Sequence, residues 1–576
     1  MISVSVLYYL LILLVSGFIG GILLKSIKQP PVIGYLLSGL AINLLFGNFI
    51  RSDTLEFLAE LGVILLLFTL GLEFSLGRLK KVAHIAVFGA IVQIIVTLFI
   101  ASALLSQFGF SLFESIFMAA AFSLSSTAVV VSILSYQGEL DTLAGDILVG
   151  WLIIQDLAVL PMIILLPTFG RELFSGNFTG QSLINISANI AFAVSLLAVV
   201  MIASKQLVPA VLNKIASVNS RELLLVAAVG VAVASGLLTQ LLGLSAALGA
   251  FLAGVLIAES TQTHAIFSEI RPLRDIFGMI FFTSLGLVIP QGFIFSNLGL
   301  ILVLTIAIML IKFAVVPPLV LALGHHPKTS LTIGVALVEV GEFAFVLGRT
   351  GLGSGVISRE VYAMIISVAL TSILFFPPFY FATPTIYTKL RDLIKIHLPP
   401  LYFRFFTQLK HKDTLSQLPY SNHVVLCGYG RVGKYIGRAL QLSGISFIVV
   451  EYDYHKTSYL RQKGIEVVYG DPADIDILDF AQVDKARAVV VTIPDFYTSQ
   501  MVVTNSLTLN KDVKIFCRSH HESELKALYA LGVTAVIQPE FEASLSITSK
   551  ILKLFGTAAS EVEGKITRLK IEHGLG

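Results

Sequence analysis

Long apolar runs fill the chain up to about residue 390, after which the pattern changes. Each run is close to the roughly 20 residues that an α-helix needs to cross a bilayer. By that requirement, the pattern predicts about thirteen membrane-spanning helices. The predicted spans cover residues 3–24, 31–49, 55–74, 83–105, 112–135, 142–168, 183–203, 221–239, 244–259, 274–290, 295–322, 328–350 and 360–382. The first span lacks a basic leader and a cleavage site, so we expect a helix and not a signal peptide.

Beyond residue 420, short apolar runs typical of β-strands alternate with helical stretches. The runs are HVVLCG, SFIVVE, IEVVYG, AVVVTI, DVKIFCR and TAVIQP. This alternation predicts a doubly wound, mostly parallel α/β domain of the Rossmann-like type. We therefore divide the chain into a membrane domain (1–385), a basic and partly amphipathic linker (386–420), a Rossmann-like domain (421–556) and a C-terminal tail (557–576).

Composition agrees with a large membrane domain. The 576 residues are 56% hydrophobic and 13% charged, with a mean hydropathy of +0.88. No basic patch interleaved with aromatic residues indicates nucleic-acid binding. Cys427 and Cys517 form no CxxC pair, which favours a reducing cytosol, and we expect both to be buried strand residues.

Loop charges orient the predicted spans. If the N-terminus is external, most Lys and Arg residues fall in cytoplasmic loops, as the positive-inside rule requires. The cytoplasmic set is Lys25, Lys28, Arg78, Lys80, Lys81, Lys205, Lys214, Arg221, Arg271, Arg274, Lys328, Lys389, Arg391 and Lys395, and the outer set is Arg51, Arg171, Arg349 and Arg359. The C-terminal domain is therefore expected in the cytosol, below a multi-pass cell (inner) membrane domain.

Polar residues interrupt four of the apolar spans. Gln155 and Asp156 lie in span 6 and Lys312 lies in span 11, whereas the stretches FSLSSTAVVVS (122–132) and VEVGEFAFVLG (338–348) break spans 5 and 12. Spans 5 and 12 are an odd number apart, so they cross the membrane in opposite directions. Interrupted helices at matching places in two inverted halves are typical of a transporter site at the midplane.

Asp156 has the chemistry that such a site needs. Burial disfavours a bare carboxylate, so Asp156 would hold either a proton or a monovalent cation, and this competition couples the two ions. Ser126 and Thr127 could add hydroxyl oxygens, and Lys312 could balance a helix dipole or pair with Asp156. The alternative is that Asp156 and Lys312 form a structural salt bridge; intramembrane ionisable residues favour function.

For two acidic residues near the second break, the sequence predicts a simpler role. Glu339 and Glu342 lie close to the interruption in span 12, and we expect each to serve at a helix end or an interface.

Several motifs in order resemble those of the Kef-type potassium/proton antiporters. SSTAVVV, QD before LAVLP, LAGVLIAES and GEFAFVL precede a nucleotide-type domain. The similarity runs over roughly residues 5–550 and points to the monovalent cation:proton antiporter-2 superfamily. It implies an inverted-repeat antiporter fold, a homodimer, and K+ and H+ as substrates across the lipid bilayer.

The resemblance also implies roles at the ion site. The family's ion-binding aspartate falls on Asp156, its neighbouring Gln on Gln155, and its core lysine on Lys312. A single titrating carboxylate per cycle would give one proton for one cation, and hence electroneutral exchange.

The first turn of the C-terminal domain carries a phosphate-binding pattern. Gly428, Gly430 and Gly433 form GYGRVG between a strand and a helix, and Glu451 ends the second strand, where an acid binds ribose hydroxyls. In this context the pattern predicts a dinucleotide or adenosine ligand, with phosphate at the helix N-terminus. The alternative is a fold kept for dimer packing, without a ligand.

The family resemblance adds further ligand residues. Arg431 and Arg518 fall at basic ligand-contacting positions, and Asp471 follows the third strand near the adenosine. It implies a regulatory adenine nucleotide, AMP or NAD(H), that gates potassium transport. Some members also respond to glutathione, but the loop over 258–275 carries Arg271 and Arg274 where a more acidic stretch is expected, which argues against that control.

Two other functions would each need features beyond those that the sequence offers. A ligand-gated potassium channel would need a re-entrant membrane filter, whereas Gly428-Tyr429-Gly430 lies in the α/β domain and precedes a helix. A membrane-bound nicotinamide oxidoreductase would need a substrate domain with positioned catalytic groups. We therefore expect a transporter and not an enzyme.

Overall fold

The structure is a computed structural model that describes residues 4–26, 31–46, 53–73, 76–140, 142–174, 221–241, 246–258, 263–402, 406, 421–519 and 522–572. The chain divides into two compact units. Unit 1 comprises residues 1–131, 147–319 and 333–380, and unit 2 comprises residues 132–146, 320–332 and 381–576.

Unit 1 is helical throughout its described part. Its helices, some of which extend into the segments of unit 2, are α1 (Val4–Ser26), α2 (Pro31–Phe46), α3 (Asp53–Glu73), α4 (Leu76–Gln107), α5 (Leu112–Ser123), α6 (Thr127–Gln137), α7 (Leu143–Phe174), α8 (Arg221–Leu241), α9 (Ala246–Ala258), α10 (Thr263–Val288), α11 (Phe293–Ala322), α12 (Pro327–Ala336), α13 (Phe343–Gly353) and α14 (Arg359–Phe381). Helices α3, α8, α9 and α10 enclose one apolar core that includes Phe68, Ala253 and Ile270. Small residues permit the close approach: a methyl group on Gly71 would lie 2.3 Å from Phe251 O.

Among the described residues, six helical stretches are long and apolar enough to cross a membrane. They cover Tyr8–Ser26, His84–Gln107, Leu143–Pro167, Glu222–Leu241, Phe293–Ala322 and Arg359–Phe381. The thirteen spans stay a prediction, and the one over 183–203 lies outside the described residues.

Two predicted spans are each divided into two shorter helices. Span 5 becomes α5 and α6, which are separated at residues 124–126, and span 12 becomes α12 and α13, which are separated at residues 337–342. The interruptions predicted from the polar stretches are therefore confirmed.

Unit 2 contains a six-stranded parallel sheet. Its strands are β1 (Val424–Cys427), β2 (Phe447–Glu451), β3 (Val467–Tyr469), β4 (Ala488–Val491), β5 (Lys514–Arg518) and β6 (Ala535–Ile537), in the order β3-β2-β1-β4-β5-β6. In register, Val424 faces Phe447 on β2 and Ala488 on β4. The doubly wound prediction is confirmed, and Cys427 and Cys517 are buried in β1 and β5 as expected.

Two linker helices precede the sheet in the chain, and further helices alternate with its strands. The linker contributes α15 (Thr383–His397) and α16 (Pro399–Tyr402), and the α/β domain contributes α17 (Arg431–Leu442), α18 (Tyr454–Gln462), α19 (Ile475–Phe480), α20 (Phe496–Leu509), α21 (Glu522–Ala530) and α22 (Pro539–Leu554). The tail, which shows no clear sequence signal, forms α23 (Ala559–Glu572). Most of the linker after Tyr402 lies outside the described residues.

Candidate functional site

The two helix breaks of unit 1 meet through their backbones. Gly341 N donates to Leu124 O (3.0 Å), and the Ser125 hydroxyl donates to Leu337 O (3.0 Å). A methyl group on Gly341 would lie 2.5 Å from the Ser125 carbonyl carbon, so the crossing requires glycine there. We call this meeting of residues 124–126 and 337–342 the crossover.

Lys312 of α11 lies fully buried at the crossover. Its Nζ donates to Leu124 O (3.0 Å), Ser125 Oγ (2.9 Å) and Glu339 O (2.6 Å). An ammonium group has three protons, and these three acceptors use all of them. The carbonyl ends of the half-helices carry partial negative charge, which Lys312 compensates. Of the two predicted roles, the geometry supports dipole balance, since Asp156 is not among these acceptors.

Asp156 lies midway along α7 and is 5% exposed. Its Oδ2 accepts a hydrogen bond of 2.8 Å from the hydroxyl of Thr127, the first residue of α6. The carboxylate is thus held at the amide end of a half-helix, which carries partial positive charge. A buried carboxylate in this position can hold a proton or a monovalent cation, with hydroxyl and carbonyl oxygens nearby as hard ligands.

Gln155 holds the first break in place. Its Oε1 accepts from Ser125 N (2.9 Å), and its Nε2 donates to Gln93 Oε1 (2.6 Å). Gln93, fully buried on α4, in turn donates to Ser123 O (2.9 Å). Sequence reasoning missed Gln93, although an amide inside the apolar span over 83–105 is the same kind of signal that identified Gln155.

Ser126 and Glu339 join the two breaks a second time. The Ser126 hydroxyl accepts from Val129 N (3.2 Å) and so caps α6, while Ser126 N donates to Glu339 Oε1. Glu339 is fully buried, and its Oε2 has no hydrogen-bond partner among the described residues. The sequence predicted a helix-end or interface role for Glu339; the residue lies in the break between α12 and α13, and its carboxylate caps α6.

In unit 2, the glycine-rich turn has the geometry of a phosphate cradle. Gly428 follows β1 with φ of +92°, a conformation that favours glycine. A methyl group on Gly433 would lie 2.3 Å from Gly428 O, and Gly430 is the N-cap of α17. The turn lies at the carboxyl end of β1, between β2 and β4, where the strand order reverses and where α/β folds bind nucleotides.

Glu451 braces this turn. Its Oε2 accepts from Tyr429 N (2.9 Å), and its Oε1 accepts from Tyr452 N and Asp453 N (both 3.0 Å). Each oxygen of a carboxylate has two lone pairs, so Oε2 keeps one acceptor position for a ribose hydroxyl.

Two arginines approach the same edge of the sheet. Arg431 begins α17 and Arg518 ends β5. Burial lowers the pKa of the Arg518 guanidinium, Glu540 opposes this change, and the positive charge of Arg431 adds to it. Because the two cations affect each other, an anionic ligand between them would be stabilised.

Asp471, two residues after the end of β3, forms an ion pair with Lys328. Its Oδ1 accepts from Ala473 N (3.0 Å) and lies 3.8 Å from Lys328 Nζ. Lys328 also donates to Thr498 Oγ1 (2.6 Å) on α20. Burial alone would raise the pKa of Asp471, but the positive charge of Lys328 and the hydrogen bond from Ala473 N outweigh this and lower it. The predicted adenosine position is therefore in contact with α12.

The linker contacts the α/β domain as well. Tyr402 donates to the Asp474 carboxylate, Arg391 Nη1 lies 4.0 Å from Asp474 Oδ2, and Lys395 pairs with Asp476. The described part of the predicted amphipathic linker therefore docks on α19.

Comparison with known proteins identifies both parts of the chain. A family described as "Sodium/hydrogen exchanger, transmembrane" matches residues 10–382. The chain belongs to the sodium/hydrogen exchanger family. A second family, the TrkA-N domain, matches residues 424–539 of this exchanger.

Relatives of this exchanger match it over almost its whole length. It is 32% identical to "Putative cation/proton antiporter YbaL" of Escherichia coli over 92% of this chain and 94% of that protein. It is 28% identical to "Putative K(+) efflux antiporter KefB" of Alkalimonas amylolytica over 94% of this chain and 80% of that protein. The expected cation:proton antiporter-2 membership is thereby confirmed.

A solved structure shares the membrane fold. The sodium proton antiporter MjNhaP1 of Methanocaldococcus jannaschii matches 64% of this chain and 94% of its own length, with a TM-score of 0.50 and 19% identity. The predicted antiporter fold of the membrane domain is confirmed, with a Rossmann-like TrkA-N domain after it.

Proposed function

We propose that this exchanger exchanges K+ for H+, one for one, at Asp156. The observation that supports this most directly is the buried Asp156 carboxylate, held by Thr127 at the amide end of α6. The ammonium group of Lys312 donates its three protons to oxygen atoms of the crossover and not to Asp156. Asp156 is therefore the group that we expect to alternate between a proton and K+. One carboxylate that carries either ion gives no net charge movement per cycle.

K+ is the cation that the relatives favour. "K(+) efflux antiporter" is part of the name of the Alkalimonas relative and of a 33% identical relative from Arabidopsis thaliana. Gln155, a neutral amide beside Asp156, is compatible with a single exchanging charge. The protein would act as a transporter without an enzymatic activity, as a homodimer in the cell membrane with its TrkA-N domain in the cytosol.

The TrkA-N domain would regulate transport through a bound adenine nucleotide, AMP or NAD(H). The Gly428 turn, the free acceptor position of Glu451 and the arginine pair together suit a phosphorylated nucleoside. Lys328 offers a route to the ion site, because it lies in the first turn of α12, whose last residue, Ala336, precedes the crossover. Glutathione control has no support beyond family resemblance.

Transport is tested in proteoliposomes with an internal pH dye and a clamped potential. A K+ gradient should drive proton flux in the wild type, and Asp156→Asn should abolish it. Asp146→Asn is the matched control, because Asp146 lies exposed in the first turn of the same helix, α7. K+ flux without proton movement would instead favour the ligand-gated channel. An electrical current through a bilayer that holds the purified protein, driven by the K+ gradient alone, would overturn one-for-one exchange.

Nucleotide binding is tested by calorimetry on the full chain in detergent with AMP and NADH. Arg518→Ala should weaken binding about tenfold or more, as loss of a charged hydrogen bond predicts. Arg487→Ala, an exposed arginine before β4, is the control. No heat from either nucleotide would contradict the regulatory role and favour a domain kept for packing.

A further inference from the structure

The crossover contains a carboxylate that the proposed exchange mechanism does not use. Glu339 is fully buried, and its Oε1 accepts from Ser126 N while its Oε2 has no hydrogen-bond partner among the described residues. A buried polar atom without a partner is costly, so it requires an explanation, and a bound ion or proton is one that fits a carboxylate beside the exchange site.

Glu339 and Asp156 approach the same half-helix at neighbouring residues. Glu339 binds the main-chain amide of Ser126, and Asp156 binds the hydroxyl of Thr127. One amide end therefore has two carboxylates, which come from α7 and from the second break. The helix end offers a partial positive charge of about 0.5, too little to neutralise two carboxylates.

The other charges of the crossover do not remove this excess. Lys312 on α11 is compensated by the carbonyl ends of α5 and α12, each worth about half a negative charge. Its ammonium donates to the main-chain oxygen of Glu339 and not to its carboxylate. Glu342 adds another acid in the same break, while Ser126 of the first break and Ser372 of α14, which hydrogen-bond to this break, are uncharged. With the amide ends of α6 and α13 counted at about half a positive charge each, Asp156 and Glu339 leave about one negative charge to be balanced, before Glu342 is counted.

We propose that Glu339 is the second carboxylate of the exchange site, and that its free Oε2 shares with Asp156 the single proton or monovalent cation carried per cycle. This inference rests on the proposed function. The stoichiometry stays one proton for one cation, because the pair binds one positive charge at a time. The ligand class is a proton or a dehydrated alkali cation, which prefers oxygen ligands.

Glu339→Gln separates this role from a structural one. The Gln carbonyl oxygen can still accept from Ser126 N, and the side chain keeps its size, so a purely structural Glu339 predicts unchanged transport. Loss of the negative charge should weaken the binding of both ions. We expect the K+ concentration for half-maximal exchange to rise about tenfold, and the pH profile of exchange to move to lower pH by about one unit.

The comparison uses proteoliposomes of four variants beside the wild type. Asp156→Asn should abolish exchange, and Glu339→Asp, which keeps the charge on a shorter side chain, should restore the pH profile while K+ affinity stays reduced. Glu342→Gln removes the same charge three residues away, and we expect at most a third of the shift that Glu339→Gln produces. Equal shifts in both Gln variants would overturn the assignment to Glu339.

The outcomes separate this inference from the proposed function. If the wild type exchanges, Asp156→Asn does not, and Glu339→Gln matches the wild type in both half-saturation and pH profile, then Glu339 is structural and the exchange function stands. If the wild type shows no K+-driven proton flux with or without nucleotide, the function itself fails. Should Glu339→Gln not assemble, as judged by size-exclusion chromatography, a Glu339→Asp variant with wild-type K+ affinity would refute the inference.

Discussion

At the scale of single residues, the hydrogen bond from Thr127 to Asp156 sets the orientation of the exchanging carboxylate. The Thr127 hydroxyl donates at 2.8 Å to an acid that is 5% exposed. Hydrogen bonds to charged groups contribute about 1.5–3 kcal/mol, more than bonds between neutral groups. The bond therefore fixes the Asp156 carboxylate at the amide end of α6.

Removal of this donor should impair exchange. Thr127→Val keeps the shape of the side chain and loses the hydroxyl, so we expect K+-driven proton flux to fall about tenfold, in line with the loss of one charge-assisted bond. Thr127→Ser retains the donor and should retain most of the activity. Wild-type flux from Thr127→Val in proteoliposomes would show that the bond is incidental.

Single polar residues in apolar spans could be found from the sequence, but their partners could not. Asp156, Gln155 and Lys312 stand out because charge and amide groups are costly in a bilayer. The two breaks that surround them meet through contacts such as Ser126 N with Glu339 Oε1, between residues more than 200 apart, which no local pattern encodes. The acids at 339 and 342 look alike in sequence, and only the fold shows Glu339 against Ser126.

At the scale of elements, the crossover depends on close backbone contact between two interrupted helices. A methyl group on Gly341 would lie 2.5 Å from the Ser125 carbonyl carbon, and the Gly341 amide donates to Leu124 O. A shift of the Gly341 backbone away from Ser125 would lengthen the hydrogen bond from Gly341 N to Leu124 O, which joins the two breaks.

Gly341→Ala should therefore destabilise the protein and reduce transport together. Overpacking of this kind typically costs about 1–3 kcal/mol. Gly353→Ala is the matched control, because a methyl group at Gly353, in the last turn of α13, meets no atom within 4 Å. Thermal unfolding in detergent and proton flux should both separate the two variants; equal melting temperatures would contradict the packing argument.

The order of the helices and strands could be predicted from the periodicity of apolar residues, whereas the helix interruptions were indicated by polar residues within apolar spans. Alternating apolar runs predicted the parallel sheet, because only buried strands between helices read in this way. Helix α23 carries Val562, Ile566 and Leu569 at helical spacing, and Val562 is buried, while Lys565 pairs with Glu561 (2.7 Å). Three apolar positions in a short, mostly polar stretch are a weak signal, so the hydrophobic pattern alone did not predict this helix.

His326, between α11 and α12, gives unit 2 a pH dependence. Burial lowers the pKa of His326 to about 4, with Asp471 opposing and Lys328 adding to the decrease. Because the folded state favours the neutral ring, its contribution is complete above the unfolded pKa of 6.5 and is lost as pH falls from there to about 4. The loss is at most about 3 kcal/mol.

The melting temperature of the full chain should therefore fall between pH 7 and pH 5, and less steeply in His326→Gln. His397→Gln, at the end of α15 and exposed, should keep the wild-type slope. If the melting temperature depended on pH equally in the wild type and in both variants, protonation of His326 would make no contribution to the loss of stability.

At the scale of the whole molecule, regulation requires that a nucleotide and the ion site affect the same structural element. Lys328 binds Thr498 Oγ1 at 2.6 Å and lies 3.8 Å from Asp471, the predicted adenosine position. The helix that carries Lys328, α12, ends at Ala336, next to the break that contains Glu339. The ten residues of α12 span about 15 Å along the helix.

This arrangement predicts that Lys328→Met separates nucleotide binding from transport control. The variant should still bind AMP or NADH, weakened by no more than about tenfold through the lost partner of Asp471, because the arginine pair and the Gly428 turn are untouched. The change in K+/H+ exchange rate that the nucleotide produces should fall at least fivefold, a loss of about 1 kcal/mol of coupling. Lys389→Met, an exposed lysine on α15, provides the control and should respond to nucleotide as the wild type does.

Thermodynamic reciprocity gives this prediction a second measurement. If nucleotide alters K+ affinity by some factor, K+ must alter nucleotide affinity by the same factor. By calorimetry, the dissociation constant of the nucleotide should differ between samples with and without saturating K+ in the wild type. In Lys328→Met, the two conditions should give the same dissociation constant. If Lys328→Met retained the full K+ dependence of nucleotide affinity, coupling would have to run through other contacts, of which Tyr402 and Arg391 with Asp474 would be the next to change.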